Sequence, residues 1–203
     1  NVWRAPTDND RKLKADWYAA HYDHAATNAY HTEYTVTASG VTLHTHVGIA
    51  AICVQKFLDL DVTWTVANNG SVGLALHAKR NTVFPELPRF GLRLFLPQEM
   101  SQVNYYGMGP MECYRDKHHA ASHSSYTATV WQLHEDYIRP QENGSHFDCD
   151  YVMLAGDAVR LTAVGTQPFS FNASHYTQEE LTRKAHNYEL EPCGSTVLCL
   201  DYA

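Results

Sequence analysis

Residues 58–66 read LDLDVTWTV. Side chains of an extended chain alternate between two faces, so Leu58, Leu60, Val62, Trp64 and Val66 point one way and Asp59, Asp61, Thr63 and Thr65 the other. A 3.6-residue period would scatter the aspartates through the apolar stripe, so this segment is a strand with one core-facing side. Asn68-Asn69-Gly70 follows and supplies the positive φ of a hairpin turn, and Val72, Leu74, Leu76 and Ala78 carry the return strand. The same period runs through Tyr30, Thr32, Tyr34, Val36 and Ala38, and resumes after Ser39-Gly40 with Val41, Leu43, Thr45 and Val47. Pro85 and Pro88 interrupt the chain before Phe90, Leu92, Leu94 and Leu96 alternate again. Further strands are expected at 101–106, 126–133, 151–154, 158–164 and 196–202.

One or two short helices are expected among the strands. Asp10 caps a short one that places Leu13, Trp17 and Ala20 on one face and leaves Arg11, Lys12 and Lys14 in solvent. In YTQEELTRKAH, Thr177 and Glu180 form a capping box, with Arg183, Lys184 and His186 at the carboxyl end, for about two turns of helix. Aromatic residues make up 12% of the chain and charged residues only 18%, which suits half-buried pleated surfaces. The chain has no internal repeat, low-complexity linker or change in composition. The expectation is therefore an all-β fold, a large antiparallel β-sandwich with one or two short helices, in one domain spanning 1–203.

The charge balance excludes one class of partner. The net charge of −7, with no basic run, argues against a surface that follows a phosphate backbone, so nucleic acid is not expected. No apolar stretch approaches the roughly 20 residues that span a bilayer, so no membrane partner is expected either. Five cysteines, none paired as CxxC, read as reduced thiols of a cytoplasmic protein. Sequons at Asn69, Asn143 and Asn172 are short enough to arise by chance. The opening NVWRAPTDND lacks an initiator methionine and a signal peptide, and reads as internal to a longer protein.

Three stretches carry more than periodicity requires. YYGMGPMECYRDK (105–117) uses two glycines and a proline to hold Glu112, Tyr114, Arg115 and Asp116 together. YIRPQENGSHFD (137–148) does the same for Arg139, Gln141, Glu142 and Asn143, and FSFNASHYTQEEL (169–181) sets Asn172 and Ser174 ahead of the capped helix. Glu112 and Glu142 are the tempting carboxylate pair for glycoside hydrolysis, which with retention needs a separation of about 5–5.5 Å. The alternative is that they anchor turns by accepting backbone or arginine hydrogen bonds, with Arg139 as partner and Tyr114 in the same network; this reading is preferred. The thirteen histidines, including His44 with His46 and His118, His119 with His123, lack zinc-site spacing and read as solvated. Trp3, Trp17, Trp64 and Trp131 are candidates for sugar stacking; of these Trp64 reads as core, and Trp3 and Trp17 stay open.

Together with WRAPTDND (3–10) and LPRFGLRL (87–94), in this order, these stretches resemble the C-terminal, small-chain domain of the large bacterial β-galactosidases of glycoside hydrolase family 2. The resemblance covers the whole chain. It implies a supersandwich similar to galactose mutarotase, packed against a separate TIM barrel that holds the catalytic glutamates, and no catalytic residue in this chain. It further implies that Arg4, Asp8, Asn9, Asp10, Arg11, Glu112, Tyr114, Arg139 and Glu142 form a substrate-site wall or inter-domain contact.

Other expectations follow from the same resemblance. The partners are the barrel and other domains, or a separate large subunit, with β-galactosides as substrates of an oligomeric enzyme. The isolated chain is inactive, and it is a fragment truncated at its C-terminal side. No cofactor or metal is held here, and the magnesium and sodium of the whole enzyme lie outside this domain. The family usually has Asp-Arg at Asp116-Lys117 and Asn-Arg at Ser145-His146, and an ammonium or imidazole cannot reproduce a guanidinium fork. The other reading is a free-standing mutarotase-like epimerase, with His77 and Glu142 as acid and base, or a carbohydrate-binding module.

Overall fold

The computed structural model describes residues 1–202. The expected all-β class holds, as two antiparallel sheets with only two short α-helices. The chain divides into two compact units, one of residues 1–12 with 88–203 and one of residues 13–87.

The smaller unit is a meander of β1 (Ala26–Thr37), β2 (Gly40–Ala50), β3 (Leu58–Ala67) and β4 (Val72–Arg80) in that order. Register places Tyr34, Leu43, Trp64 and Leu74 in one row, and Val36, Val41, Val66 and Val72 in the next. Directly opposed residues share a face, so the predicted apolar side is present as one surface. Only one end of it is core. Leu58, Leu60 and Val62 are buried, whereas Tyr34 is 71% exposed, Val36 66% and Val72 58%. Trp64, expected in the core, is half-buried. Tyr22 and Phe57 meet edge to face at 4.8 Å in the buried end.

The first helix differs from its expected form. Residues Asp8–Lys12 make a 3-10 turn, and α1 (Lys14–Ala19) begins after Leu13, which has no side-chain cap. Asp10 caps nothing there, because its carboxylate is taken by Arg4 and Thr7. Trp17 and Ala20 are buried as expected, but Leu13 is exposed.

The larger unit holds β5 (Gly91–Pro97), β6 (Gln102–Gly109), β7 (Ser122–Thr129), β8 (Ser145–Ala155), β9 (Arg160–Ser174) and β10 (Ser195–Tyr202). They form one sheet in the order β5-β10-β9-β8-β6-β7. Its core gathers Val103, Tyr105, Val152, Leu154, Phe171 and Leu198, contributed by four of the strands. Gly107 allows the close approach of β6 to β8, since a Cβ there would lie 2.3 Å from Cys149 Sγ. The strand expected at 126–133 stops at Thr129, which caps a 3-10 turn over Val130–Leu133 in a reciprocal box with Gln132. The second helix, α2 (Gln178–Arg183), is shorter than two turns. Thr177 accepts from Glu180 N at 3.1 Å, but the Glu180 carboxylate turns to Arg183, Lys184 and Glu191 N rather than closing a box.

The five thiols are free; Cys113, Cys149 and Cys199 are buried, Cys53 and Cys193 exposed. No helix among the described residues is long and apolar enough to cross a membrane. Phe171 is fully buried against Tyr105 and His146. Phe171→Ala is expected to cost about 3–5 kcal/mol, and the urea unfolding midpoint of the chain measures it; a loss under about 1 kcal/mol would place Phe171 outside the core.

Candidate functional site

Three short segments of the larger unit, 4–10, 112–117 and 137–142, converge on one polar cleft of about 260 Å³. The first is the opening stretch. Asp10 accepts from Arg4 at 2.7 Å, from Thr7 N at 2.8 Å and from Thr7 Oγ1 at 3.0 Å, which folds residues 4–10 into a tight loop. That loop is sewn to the 137–144 segment. Glu142 N donates to Ala5 O at 3.0 Å, and Asp8 N donates to Gln141 Oε1 at 2.9 Å. The rigid opening and its row of acceptors therefore serve to dock this segment on the loop that carries Glu142.

Glu112 closes the next part of the wall. Its carboxylate accepts from Lys117 Nζ at 2.9 Å, Gly144 N at 3.0 Å, Tyr114 OH at 3.1 Å and from Tyr137 OH. Burial opposes the charged form, but the bonds from Tyr137, Lys117 and Gly144 outweigh it and lower the Glu112 pKa. Burial raises the Tyr114 hydroxyl pKa strongly, and Glu142 and Glu112 add to the effect, so the phenol stays a donor. Four donors nearly saturate the acceptor capacity of a carboxylate.

Glu142 rests on a buried ion cluster. Arg89 Nη2 lies 2.5 Å from Glu142 Oε1, and Arg89 Nε lies 3.0 Å from Asp201 Oδ2. Burial alone would lower the Arg89 pKa, but Glu142 and Asp201 outweigh it and raise it. Burial pushes the Asp201 carboxyl up, with Arg89 drawing it back down. One guanidinium thus faces two carboxylates, and Glu142 Oε2 and Asp201 Oδ1 are buried without a hydrogen-bond partner among the described residues.

Seven of the nine residues singled out from the sequence line this cleft: Arg4, Asp8, Asn9, Asp10, Glu112, Tyr114 and Glu142. Arg11 and Arg139 do not; both are exposed. Arg139 was expected to pair with the two glutamates. The structure assigns those roles to Lys117 and Arg89 instead, because the Pro140 turn buries Gln141–Ser145 but leaves Arg139 outward. Arg89 was legible within LPRFGLRL, although nothing local to that motif names its partners.

The histidine and tryptophan readings also change. His146, expected to be solvated, is 1% exposed, stacked on Phe171 at 5.1 Å and in hydrogen-bond reach of Tyr105 OH and Met108 O. Burial lowers its pKa to about 4, so the imidazole is neutral. His175 is buried as well. Trp3 and Trp17 are buried and offer no face to a sugar; their indole N–H groups donate to Thr182 Oγ1 and Glu86 O. Trp131 is half exposed, against His175 at 4.6 Å. His77 lies on the exposed β4 strand. Among the described residues no three His, Cys, Asp or Glu side chains converge to hold a metal ion.

The family model for the beta-galactosidase small chain matches residues 1–203, and the chain belongs to that family. A beta-galactosidase of Actinobacillus pleuropneumoniae is 44% identical over 202 residues, covering all of this chain and 20% of that protein. The beta-galactosidase of Staphylococcus xylosus is 37% identical over 203 residues, again all of this chain and 20% of the relative. That of Vibrio cholerae is 31% identical over 214 residues, covering 99% of this chain. The chain spans about a fifth of the length of these relatives.

Two outcomes test the site. An unfolded histidine binds a proton below its ordinary pKa of 6.5, whereas buried His146 resists protonation until about 4, so stability falls as pH drops through that window. Urea midpoints should show wild type losing up to about 3 kcal/mol relative to His146→Phe between neutral pH and pH of about 4; a constant gap would contradict a neutral, buried imidazole. Removing one partner of a buried ion cluster costs about 3–5 kcal/mol. Arg89→Gln should show that loss in the same assay, with part of it recovered when Glu142→Gln and Asp201→Asn are added.

Proposed function

We propose that this chain is the small-chain domain of a β-galactosidase that hydrolyses terminal β-D-galactosyl bonds with retention, the catalytic carboxylates standing on a TIM barrel outside these residues. The observation that carries the reading is the family match over residues 1–203, in relatives about five times longer. One family model spanning both compact units supports treating them as parts of one domain.

The site supports a non-catalytic role. A retaining pair needs one carboxylate free to attack and one free to exchange protons, about 5–5.5 Å apart. Glu112 spends its oxygens on four donors, and Glu142 is buried on Arg89. Both are turn anchors. The cleft they build is then a wall of the substrate site or a contact with the other domains, or with a separate large subunit. On this reading the whole enzyme is a cytoplasmic oligomer, and its magnesium and sodium ions are held by residues outside this chain.

Mixing the chain with a β-galactosidase core that lacks the domain, and following a chromogenic galactoside, tests the proposal. The chain alone should give no hydrolysis and the mixture should recover it. Turnover by the chain alone, abolished by Glu142→Ala, would overturn the reading.

A further inference from the structure

The cleft is unbalanced in charge. Asp8, Asp10, Glu112, Asp116 and Glu142 line it, against Arg4 and Lys117. Both cations are already engaged, Arg4 with Asp10 at 2.7 Å and Lys117 with Glu112 at 2.9 Å. Asp8 and Asp116 sit exposed at the mouth, and their carboxylates make no ion pair among the described residues. Below them Glu142 is 3% exposed, and its Oε2 has no partner although Oε1 holds Arg89. A buried carboxylate oxygen without a donor is costly, and two unpaired carboxylates above one that shares its single arginine with Asp201 attract a cationic donor far better than a neutral one.

We propose that the cleft receives a basic side chain, arginine or lysine, borne by the part of the β-galactosidase polypeptide outside these 203 residues. The inference rests on the reading of the chain as one domain of a longer enzyme. The incoming nitrogen donates to the carboxylates at the mouth, above the enclosed Glu142, and reduces the charge deficit left by the internal pairs. It also explains the immobile wall: residues 4–10 and 137–144 are bonded to each other before any partner arrives, so the acceptors are preorganised for one donor. A galactoside hydroxyl is the competing occupant, and a saccharide would leave the excess negative charge in place.

The test uses the whole β-galactosidase that carries this domain. A density map should place a lysine or arginine nitrogen from outside residues 1–203 within about 4 Å of the Glu142, Asp8 or Asp116 carboxylates. Asp8→Asn with Asp116→Asn changes only exposed side chains, so folding is preserved. The double variant should lower the heat-inactivation midpoint of the whole enzyme and flatten its dependence on salt, because exposed charge pairs are screened over about 10 Å at 0.1 M. A neutral segment, solvent alone or a galactoside in the cleft would overturn the proposal, as would a midpoint that neither the variant nor salt moves. Galactoside hydrolysis by the same preparation is read separately: its absence counts against the proposed function and leaves the occupant of the cleft to the map.

Discussion

A single buried guanidinium organises the larger unit. Arg89 bridges Glu142, on the loop that walls the cleft, and Asp201, on the last strand of the sheet. Both of its partners are far from it in sequence, so the ion cluster joins segments that no local turn could bring together. Its value lies less in net stability than in geometry. A buried pair recovers little more than its desolvation cost, but any other arrangement strands a charge in the interior. The backbone bond from Glu142 to Ala5 then fixes the opening segment on the same frame. The segments that line the cleft are thus tied together by an ion cluster and by backbone hydrogen bonds.

Where side-chain alternation was strict, the fold was readable. LDLDVTWTV became β3, the Asn68-Asn69-Gly70 turn joined it to β4, and the alternation through Leu92, Leu94 and Leu96 became β5. Alternation names a face but not how far along the strand a neighbour covers it, so Val66 and Trp64 were placed in a core that ends near Val62. Asp10 shows a different limit. A short acidic residue before a helical stretch is a cap or a turn acceptor with equal local logic, and Arg4 six residues earlier decided the matter.

The site was half legible for a comparable reason. Gly and Pro flanking a glutamate announce a fixed carboxylate, and the carboxylates expected from that signal do line one cleft. The identity of the bases was not announced. Arg139, adjacent in sequence, points outward, while Arg89 and Lys117 arrive from other turns. His146 was hidden more deeply, because a histidine in a strand looks solvated until a phenylalanine and a tyrosine from neighbouring strands enclose it.

The placement of the cysteines gives the chain an internal gauge. Each compact unit exposes one thiol, Cys53 in the smaller and Cys193 in the larger, while Cys113, Cys149 and Cys199 are all enclosed in the larger. A thiol reagent therefore titrates two groups on the native chain, and every further equivalent consumed reports the opening of the larger unit alone. Burial also raises the pKa of all three enclosed thiols, Cys199 to about 12, so they stay protonated and poorly nucleophilic until that opening. Ordinary thiol chemistry can thus separate the unfolding of the cleft-bearing unit from that of its neighbour without a label or a substitution.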